Sequence, residues 1–299
     1  MSSKKRVAIY FENRLGRNDG SPLYMLNLLK EMKDIEVVHL IPDGNYDLFG
    51  KFDLHLWIDW GEDGLTDILP YKVTLPEHDK EHPLVYVASD THLGYDYRLK
   101  MAKEADYVFV NQKPAQEQFK KAGVEAIWMP HAVEPRAFPN APQALKKYDV
   151  CFVGHLVSEE RIQVLDAIFK AFPNFWFGSK LSRYVMNNGQ QDDCADIFRK
   201  SKIVLNPPTK DDVNMRVFEA LATQSFLLTK RVPGLKELFV DGKELVMYND
   251  VDDAIEKAKY YLEHDSEREG IAKLGYEKVM KKHTYQHRLD KIFEVIGFL

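Results

Sequence analysis

KDDVNMRVFEALATQSFLLT, residues 210–229, is the stretch that decides the fold, and it follows the apolar run IVLNPP at residues 203–208. The pattern predicts a strand over 203–206, a helix over 215–223 and another strand over 226–229. A strand–helix–strand unit is typical of a parallel sheet that carries helices on its faces. We therefore expect an α/β domain around this stretch.

The same alternation of short apolar strands and helices extends outward and forms two series. They are separated by EPRAFPNAPQAL, residues 134–145, which carries three prolines and is the predicted interdomain linker. Strands are predicted over 6–11, 36–41, 52–60, 84–88, 107–110 and 126–129 in the first series and over 148–153, 175–177, 203–206, 226–229 and 245–248 in the second. Helices are predicted over 23–32, 97–104, 114–122, 161–171, 195–200, 215–223, 251–264, 267–283 and 285–296.

The two series predict an α/β chain of two facing Rossmann-like domains. The first domain is expected over residues 1–138 and the second over residues 139–284. Residues 285–299 are expected to form a C-terminal helix that closes across the domains and packs back on the first one.

Composition excludes several classes of function. Of the 299 residues, 45% are apolar and 29% are charged, as in a globular protein, and the net charge of -5 disfavours electrostatic binding to nucleic acid. No apolar run has the roughly 20 residues that span a bilayer, and no secretory signal is recognisable, so we expect a cytoplasmic protein. A peripheral membrane contact and the oligomeric state stay open. Cys151 and Cys194 lack metal-site spacing and are expected to be reduced thiols.

Ligands of open parallel sheets bind beyond the carboxyl ends of the strands. Neither series carries GxGxxG or a Walker sequence, which disfavours hydride transfer and phosphate hydrolysis. The helix predicted from Met215 offers free N–H groups and a positive dipole end that suit a diphosphate. Arg216 can add a charge-assisted fork, and Glu219 can accept both hydroxyls of a ribose. It is equally open that Asp211 or Asp212 only caps this helix and that Glu219 only pairs with Arg216.

Other polar residues also follow predicted strands. Asp90 and His92 come directly after the strand at 84–88, where the imidazole can bind a sugar hydroxyl and Asp90 can orient it or act as a base. The alternative is that Asp90 caps a helix and His92 is structural. His131, before the linker, and Gly16, in the first loop, are candidates on the acceptor side. A buried structural histidine is the alternative for His131.

Three further residues are candidates for contact with a phosphate-bearing ligand. Gly154 follows the strand at 148–153 and allows close approach to the backbone. Lys180 follows the strand at 175–177, and Asn206 ends the strand at 203–206. The Asp-x-Asp string at Asp250 and Asp252 precedes a helix, so capping is the preferred interpretation and no metal site is expected.

Residues 210–229 resemble the donor-binding signature of retaining GT-B glycosyltransferases, and they are most similar to the branch related to the spore-maturation protein CgeB. That branch reads N/M-R-x-F-E-A-x-A, then a glycine, an apolar strand and P-G-L-x-E-L-F. The matching residues are Asn214, Met215, Arg216, Phe218, Glu219, Ala220, Ala222, Pro233, Gly234, Leu235, Glu237, Leu238 and Phe239. Two positions depart from the pattern: Asp211 replaces the first carboxylate of the E-x7-E spacing, and Gln224 with Ser225 replaces the glycine.

Segments in both halves share this resemblance. They are SDTHLGYDYRLKMAKEADYVFVNQK at 89–113, WMPHAVEP at 128–135, YDVCFVGHL at 148–156, SKIVLNP at 201–207 and HTYQHRL at 283–289. Residues before about position 70 match only as a generic Rossmann beginning.

The resemblance implies a glycosyltransferase that moves a sugar from a UDP- or GDP-linked donor to an acceptor, which can be a glycan, a protein or a small molecule. It implies retention of anomeric configuration and neither a metal ion nor another cofactor. It places Arg216, Asn214 and Met215 on the donor and Glu219 on its ribose. It also places His92 on the transferred sugar and Asp211 at the position of a catalytic or sugar-positioning carboxylate.

Two alternatives to transferase activity stay open. One is a sugar-nucleotide epimerase of the same architecture, and the other is a nucleotide-sugar-binding protein without activity. A metal-dependent GT-A enzyme would need Asp-x-Asp at a central strand end, where the sequence carries none.

Overall fold

The computed structural model describes residues 4–13, 20–42, 50–59, 75–92, 94–141, 144–181, 184–187 and 190–298, with side chains described outside 179–192. The chain forms two compact units. Unit 1 consists of Met1–Pro130 and Arg288–Leu299, and unit 2 consists of His131–His287.

Unit 1 is a parallel sheet with helices, built from the apolar runs of the first series. Its described strands have the order β2-β1-β3-β4-β5-β6. The strands are β1 Lys5–Tyr10, β2 Ile35–Leu40, β3 Leu54–Asp59, β4 Leu84–Ala88, β5 Tyr107–Val110 and β6 Ala126–Trp128. The helices are α1 Ser21–Glu31, α2 Tyr95–Glu104 and α3 Lys113–Lys121, and α1 and α3 each carry a proline in the first two positions, where no N–H partner is lost.

Unit 2 is a larger sheet with the described strand order β10-β9-β8-β7-β11-β12-β13. Its strands are β7 Tyr148–Val153, β8 Phe175–Leu181, β9 Tyr184–Asn187, β10 Gln190–Asp193, β11 Ser201–Asn206, β12 Leu227–Lys230 and β13 Val246–Tyr248. Its helices are α4 Glu159–Ala171, α5 Cys194–Lys200, α6 Met215–Ala222, α7 Leu235–Leu238, α8 Val251–Glu263 and α9 Asp265–Lys282. Helix α10, Tyr285–Ile296, begins in unit 2 and runs mostly in unit 1.

Apolar side chains of unit 2 fill both faces of its sheet. One core cluster lies around Phe198, Phe218 and Leu227, and the other lies around Phe152, Leu205 and Phe226. Because β11 supplies residues to both clusters, its sequence is a continuous apolar run, as expected for a strand covered on two faces. The predicted pair of α/β series is therefore confirmed.

The structure differs from the predicted elements at one edge of unit 2. Strand β8 continues to Leu181, and it pairs antiparallel with β9, which pairs antiparallel with β10. This pair of strands was not predicted because residues 184–193, YVMNNGQQDD, are mostly polar and do not alternate. Edge strands can form without an apolar pattern, since the backbone hydrogen bonds of the ladder do not depend on side-chain type.

Several smaller predictions are also settled. Cys151 and Cys194 are buried and free of disulfide bonds. Asp250 caps α8 by accepting from the N–H of Asp253, which confirms the capping interpretation of the Asp-x-Asp string. Within the described ranges, no helix is both long enough and apolar enough to cross a membrane.

Candidate functional site

Strands β7 and β11 form the switch point of the unit 2 sheet, because the chain moves from β7 outward to β8 and later returns to the other side of β7 as β11. Gly154 follows β7, and Asn206 is the last residue of β11. The crevice beyond the carboxyl ends of the strands at a switch point is where open α/β sheets bind ligands. The structure therefore places two of the predicted donor-binding residues at this location.

The buried amide of Asn206 connects three other side chains. Its Oδ1 accepts from Arg216 Nη1 at 2.8 Å and from Asn214 Nδ2 at 3.1 Å. Its Nδ2 donates to Thr229 Oγ1 at 3.0 Å and to Asn214 Oδ1 at 3.2 Å. Because both ends of the amide are engaged, Asn206 fixes Arg216 and Asn214 relative to the end of β11.

The first turn of α6 begins beside this network. Asn214 occupies the N-cap position, but its side chain makes no capping hydrogen bond to the helix. Met215 follows as the first helical residue. The alternative that Asp211 or Asp212 occupies the cap position is therefore wrong. The Asn214 side chain bonds to Asn206 and makes no capping contact with the first turn, which is the end of a helix that favours an anionic group.

Arg216 is buried against Phe152, with its guanidinium carbon 4.8 Å from the centre of the ring. Burial lowers the pKa of Arg216, and the charge of Glu219 acts in the opposite direction. Among the atoms of the described residues, the Nε of Arg216 finds no hydrogen-bond partner. A cation held in this way is a strong binding group for an anion that reaches it.

Gly154 lies directly against this guanidinium. Its φ is +155°, and an added Cβ would collide with Nη2 of Arg216 and lie 3.0 Å from Cζ of Phe152. A glycine is therefore required here, because the arginine fills the space that a side chain would occupy.

Glu219 lies one turn after Arg216 and is 2% exposed. Its charge raises the pKa of the arginine, so the two groups are close enough to interact. The interaction is the one expected if Glu219 pairs with Arg216, and it leaves the predicted contact of Glu219 with a ribose open. A carboxylate buried beside a buried guanidinium can serve both purposes, since it has two oxygens.

Asp211 differs from the other predicted residues because it lies at the surface. It pairs with Lys230 Nζ at 3.2 Å, and the same ammonium pairs with Glu160 at 2.7 Å. Exposed ion pairs of this kind contribute little to stability. The catalytic role of Asp211 stays a prediction.

In unit 1, Asp90 adopts a left-handed conformation with a φ of +47°. Its Oδ1 accepts from Gln112 Nε2 at 3.5 Å, and Gln112 also accepts from the N–H of Thr91. The cap of the following helix α2 is Gly94, so the alternative that Asp90 caps it is wrong. A left-handed non-glycine residue is strained, and such residues concentrate at functional sites. His92 follows in an exposed position.

Two charged residues of interest were not predicted. Asp59 ends β3, which lies at the β1–β3 switch point of unit 1, and its Oδ2 accepts from Tyr86 at 2.8 Å and pairs with Arg98 at 3.0 Å. Burial raises the pKa of Asp59, and Arg98 opposes the shift. A carboxylate that closes the apolar strand LHLWID is a signal that sequence reasoning can use. The other residue is Arg161, at the start of α4, where an arginine opposes the helix dipole.

Three predicted residues contribute less to the described site. His131 is half-buried and belongs to unit 2. Lys180 lies on β8, and its side chain is outside the described part of the structure. Gly16 lies outside the described residues. In the part of the chain that is described, no group of three or more His, Cys, Asp and Glu side chains is arranged to hold a metal ion.

Comparisons with known proteins match part of this chain to one family model and to two curated relatives. The model of the family described as glycosyl transferase-like matches residues 155–294. Trehalose synthases from Thermococcus litoralis and Pyrococcus furiosus are each 28% identical to this chain over 99 residues. The match spans 33% of this chain and only 24% of each relative.

Solved structures match nearly the whole chain at low sequence identity. HepE from Anabaena, solved in complex with UDP and glucose, has a TM-score of 0.69 at 13% identity and covers 99% of this chain and 100% of its own. A glycosyltransferase from Rickettsia africae has a TM-score of 0.65 at 10% identity, with 98% of both chains covered. The sucrose-phosphate synthase of Thermosynechococcus elongatus has a TM-score of 0.62 at 11% identity, covering 98% of this chain and 99% of its own. Residues 155–294 therefore carry the pattern of the glycosyl transferase-like family, in a chain that has the two-domain GT-B fold.

Proposed function

We propose that this protein is a glycosyltransferase that takes its sugar from a UDP- or GDP-linked donor. The observation that carries the proposal is the arrangement at the β7–β11 switch point. There the first turn of α6 lacks a side-chain cap, Arg216 is fixed by Asn206, and a buried carboxylate follows one turn later. The family match over residues 155–294 and the fold shared with UDP-bound HepE support it.

On the donor side, the diphosphate would bind at the N-terminus of α6. The amides near Asn214 and Met215 and the guanidinium of Arg216 would contact its oxygens. Gly154 would leave room for the guanidinium of Arg216 beside the phosphates, and Lys180 stays a predicted phosphate contact. Glu219 would accept the hydroxyls of the ribose.

On the acceptor side, unit 1 would contribute Asp90 and His92. Gly16 and His131, the latter from unit 2, are further candidates. The bond from the anomeric carbon to the diphosphate oxygen breaks, and a bond from that carbon to the acceptor oxygen forms. The released nucleoside diphosphate carries the bonding electrons, and the acceptor proton passes to it. Arg216 and the α6 dipole would stabilise the developing charge. As in the enzymes that the sequence resembles, we propose retention of configuration without a metal ion.

The test of the donor site uses two nucleotides that differ by one hydroxyl. UDP and 2′-deoxy-UDP are titrated by calorimetry into the wild type and into Glu219→Gln, with GDP and its 2′-deoxy form as a second pair. If Glu219 binds both ribose hydroxyls, the variant weakens UDP binding by about 1–3 kcal/mol and weakens the deoxy nucleotide less, because that nucleotide keeps only the 3′ hydroxyl. Glu256→Gln, on the exposed face of α8, is the control and leaves both affinities unchanged.

Two outcomes would count against this assignment. An equal loss for both nucleotides would remove Glu219 from the ribose, and failure of the wild type to bind either UDP or GDP would reject the donor site. Transfer is then assayed with the bound donor and a panel of sugars, peptides and small alcohols. Product formation without any acceptor would favour an epimerase instead.

A further inference from the structure

The side chain of Arg161 connects the two loops that border the proposed donor site. Arg161 is buried in the first turn of α4. Its Nη1 donates to the carbonyl of His155 at 2.6 Å, and its Nε donates to the carbonyl of Pro207 at 2.9 Å. His155 follows Gly154 in the loop after β7, and Pro207 begins the loop after β11. One guanidinium therefore bridges both sides of the β7–β11 switch point.

This position is electrostatically unfavourable for an arginine. The N-terminus of a helix carries positive dipole charge, and the acidic residues Glu159 and Glu160 are the ones that suit the first turn of α4. Arg161 and Arg216 both lie over the Phe152 ring, 5.5 Å and 4.8 Å from its centre. Burial lowers the pKa of Arg161 to about 10, and the like charge of Arg216 adds to the shift.

An uncharged residue would avoid this unfavourable energy and a lysine would keep it, but neither reproduces the contacts. The guanidinium presents several donors in a rigid fork, which allows it to reach two carbonyls at the same time. A lysine ammonium is a single point of charge on a flexible stem. The contact with both carbonyls therefore requires the forked geometry of a guanidinium.

We infer that Arg161 is a positioning residue of the donor site, which holds the loop after β7 and the loop after β11 in the relative arrangement that a nucleoside diphosphate requires. The inference rests on the proposed function. It differs from direct phosphate binding, because the two described hydrogen bonds of this guanidinium go to backbone carbonyls. Preorganised loops lower the entropic cost of ordering on binding, so loss of this role lowers the affinity for the nucleoside diphosphate.

The experiment compares Arg161→Lys and Arg161→Met with Arg268→Met. Arg268 is the matched control: it is also buried in unit 2 and donates to a backbone carbonyl, that of Tyr261, at 2.6 Å. For each protein, hydrogen exchange is measured by mass spectrometry in peptides that cover residues 154–158 and 209–214. UDP and GDP affinities are measured by calorimetry, and thermal unfolding is recorded in parallel.

We expect both Arg161 variants to exchange faster in both peptides without ligand and to bind the nucleotide about tenfold or more weakly, as the loss of a charge-assisted hydrogen bond predicts. Arg268→Met should lower the unfolding temperature without changing either readout. Arg161→Lys separates the roles: if the charge alone contacts phosphate, the lysine keeps the affinity and the exchange rates stay at the wild-type level.

The outcomes distinguish this inference from the proposed function. If the wild type binds UDP or GDP but exchange in the two loops is unchanged by both Arg161 variants, the inference is wrong and the donor site stands. If Arg268→Met has the same effects as Arg161→Met, the role is general stability and the inference also fails. If the wild type binds neither nucleotide, both proposals are rejected.

Discussion

The Nη1 atom of Arg216 donates to the Oδ1 atom of Asn206 across 2.8 Å, within unit 2. This hydrogen bond joins the end of β11 to the first turn of α6, and it orients a buried cation toward Gly154. The proposed donor site depends on this relationship. A freely rotating arginine side chain would lose conformational entropy when it binds a phosphate, and one already held by Asn206 loses less.

Asn206→Asp is expected to weaken nucleotide binding. The new carboxylate keeps an acceptor for Arg216, but it adds a negative charge where the diphosphate is expected, so UDP affinity should fall by about tenfold or more at low salt. Calorimetry measures the effect. The control is Asn249→Asp, which places the same charge beside Arg231, 2.9 Å away at an exposed position. Unchanged affinity for Asn206→Asp would place the diphosphate elsewhere.

Gly154→Ala is expected to abolish most nucleotide binding, because the added methyl group must displace the guanidinium of Arg216. The matched control is Gly242→Ala, where φ is +74° and an added Cβ meets nothing within 4 Å. In urea unfolding, Gly242→Ala should lose about 1–2 kcal/mol of folding free energy from backbone strain, and Gly154→Ala should lose at least as much because of the collision. Only Gly154→Ala should lose UDP binding, and equal binding by the two variants would contradict the collision argument.

Gln224→Gly is expected to stabilise the protein. Gln224 follows α6 with a φ of +55°, so it adopts the left-handed conformation that a glycine adopts without strain. Relief of this strain should raise the free energy of unfolding by up to about 1 kcal/mol, after the larger backbone entropy of an unfolded glycine.

The Gln224 side chain also accepts a hydrogen bond from Asn140 at 3.1 Å, which the glycine variant loses. Asn140→Ala measures the value of that bond alone. If Gln224→Gly is less stable than Asn140→Ala in urea unfolding, the backbone at residue 224 is not strained.

His55 is expected to make stability depend on pH. It is fully buried, its Nδ1 lies 2.8 Å from the hydroxyl of Tyr10, and burial lowers its pKa from 6.5 to about 4, with His78 and His82 adding to the shift. The unfolded chain takes up a proton near pH 6.5 and the folded chain does not. The contribution of His55 to the free energy of unfolding is therefore fully present above pH 6.5. About 3 kcal/mol of it is lost as the pH drops toward 4.

The measurement is urea unfolding of the wild type and His55→Gln between pH 7.5 and 4. Other groups titrate in both proteins, so the informative quantity is the difference between the two curves. The variant should be less stable at pH 7.5, and the gap should close as the pH falls. A constant gap would show that the pKa of His55 is the same in the folded and the unfolded chain.

Much of the fold follows from local patterns. The bounds of β4, β5, β7 and α10 were predicted to the residue. Short apolar runs and amphipathic stretches identify such elements because residues close together in the sequence determine whether a segment forms a helix or a buried strand. The polar strands β9 and β10 were missed for the same reason, since only their pairing partner makes them strands.

For the candidate site, the sequence by itself determined the residue types: a signature with Asn214, Arg216 and Glu219 on one helix start, and a glycine and an asparagine after two strands. Only the tertiary structure decided that Asn206 bonds Arg216, that this arginine occupies the space beside Gly154, and that Arg161 bridges two loops. These contacts join residues from 6 to 62 positions apart across a switch point. Strand order and burial set them, and neither is encoded in any short stretch of sequence.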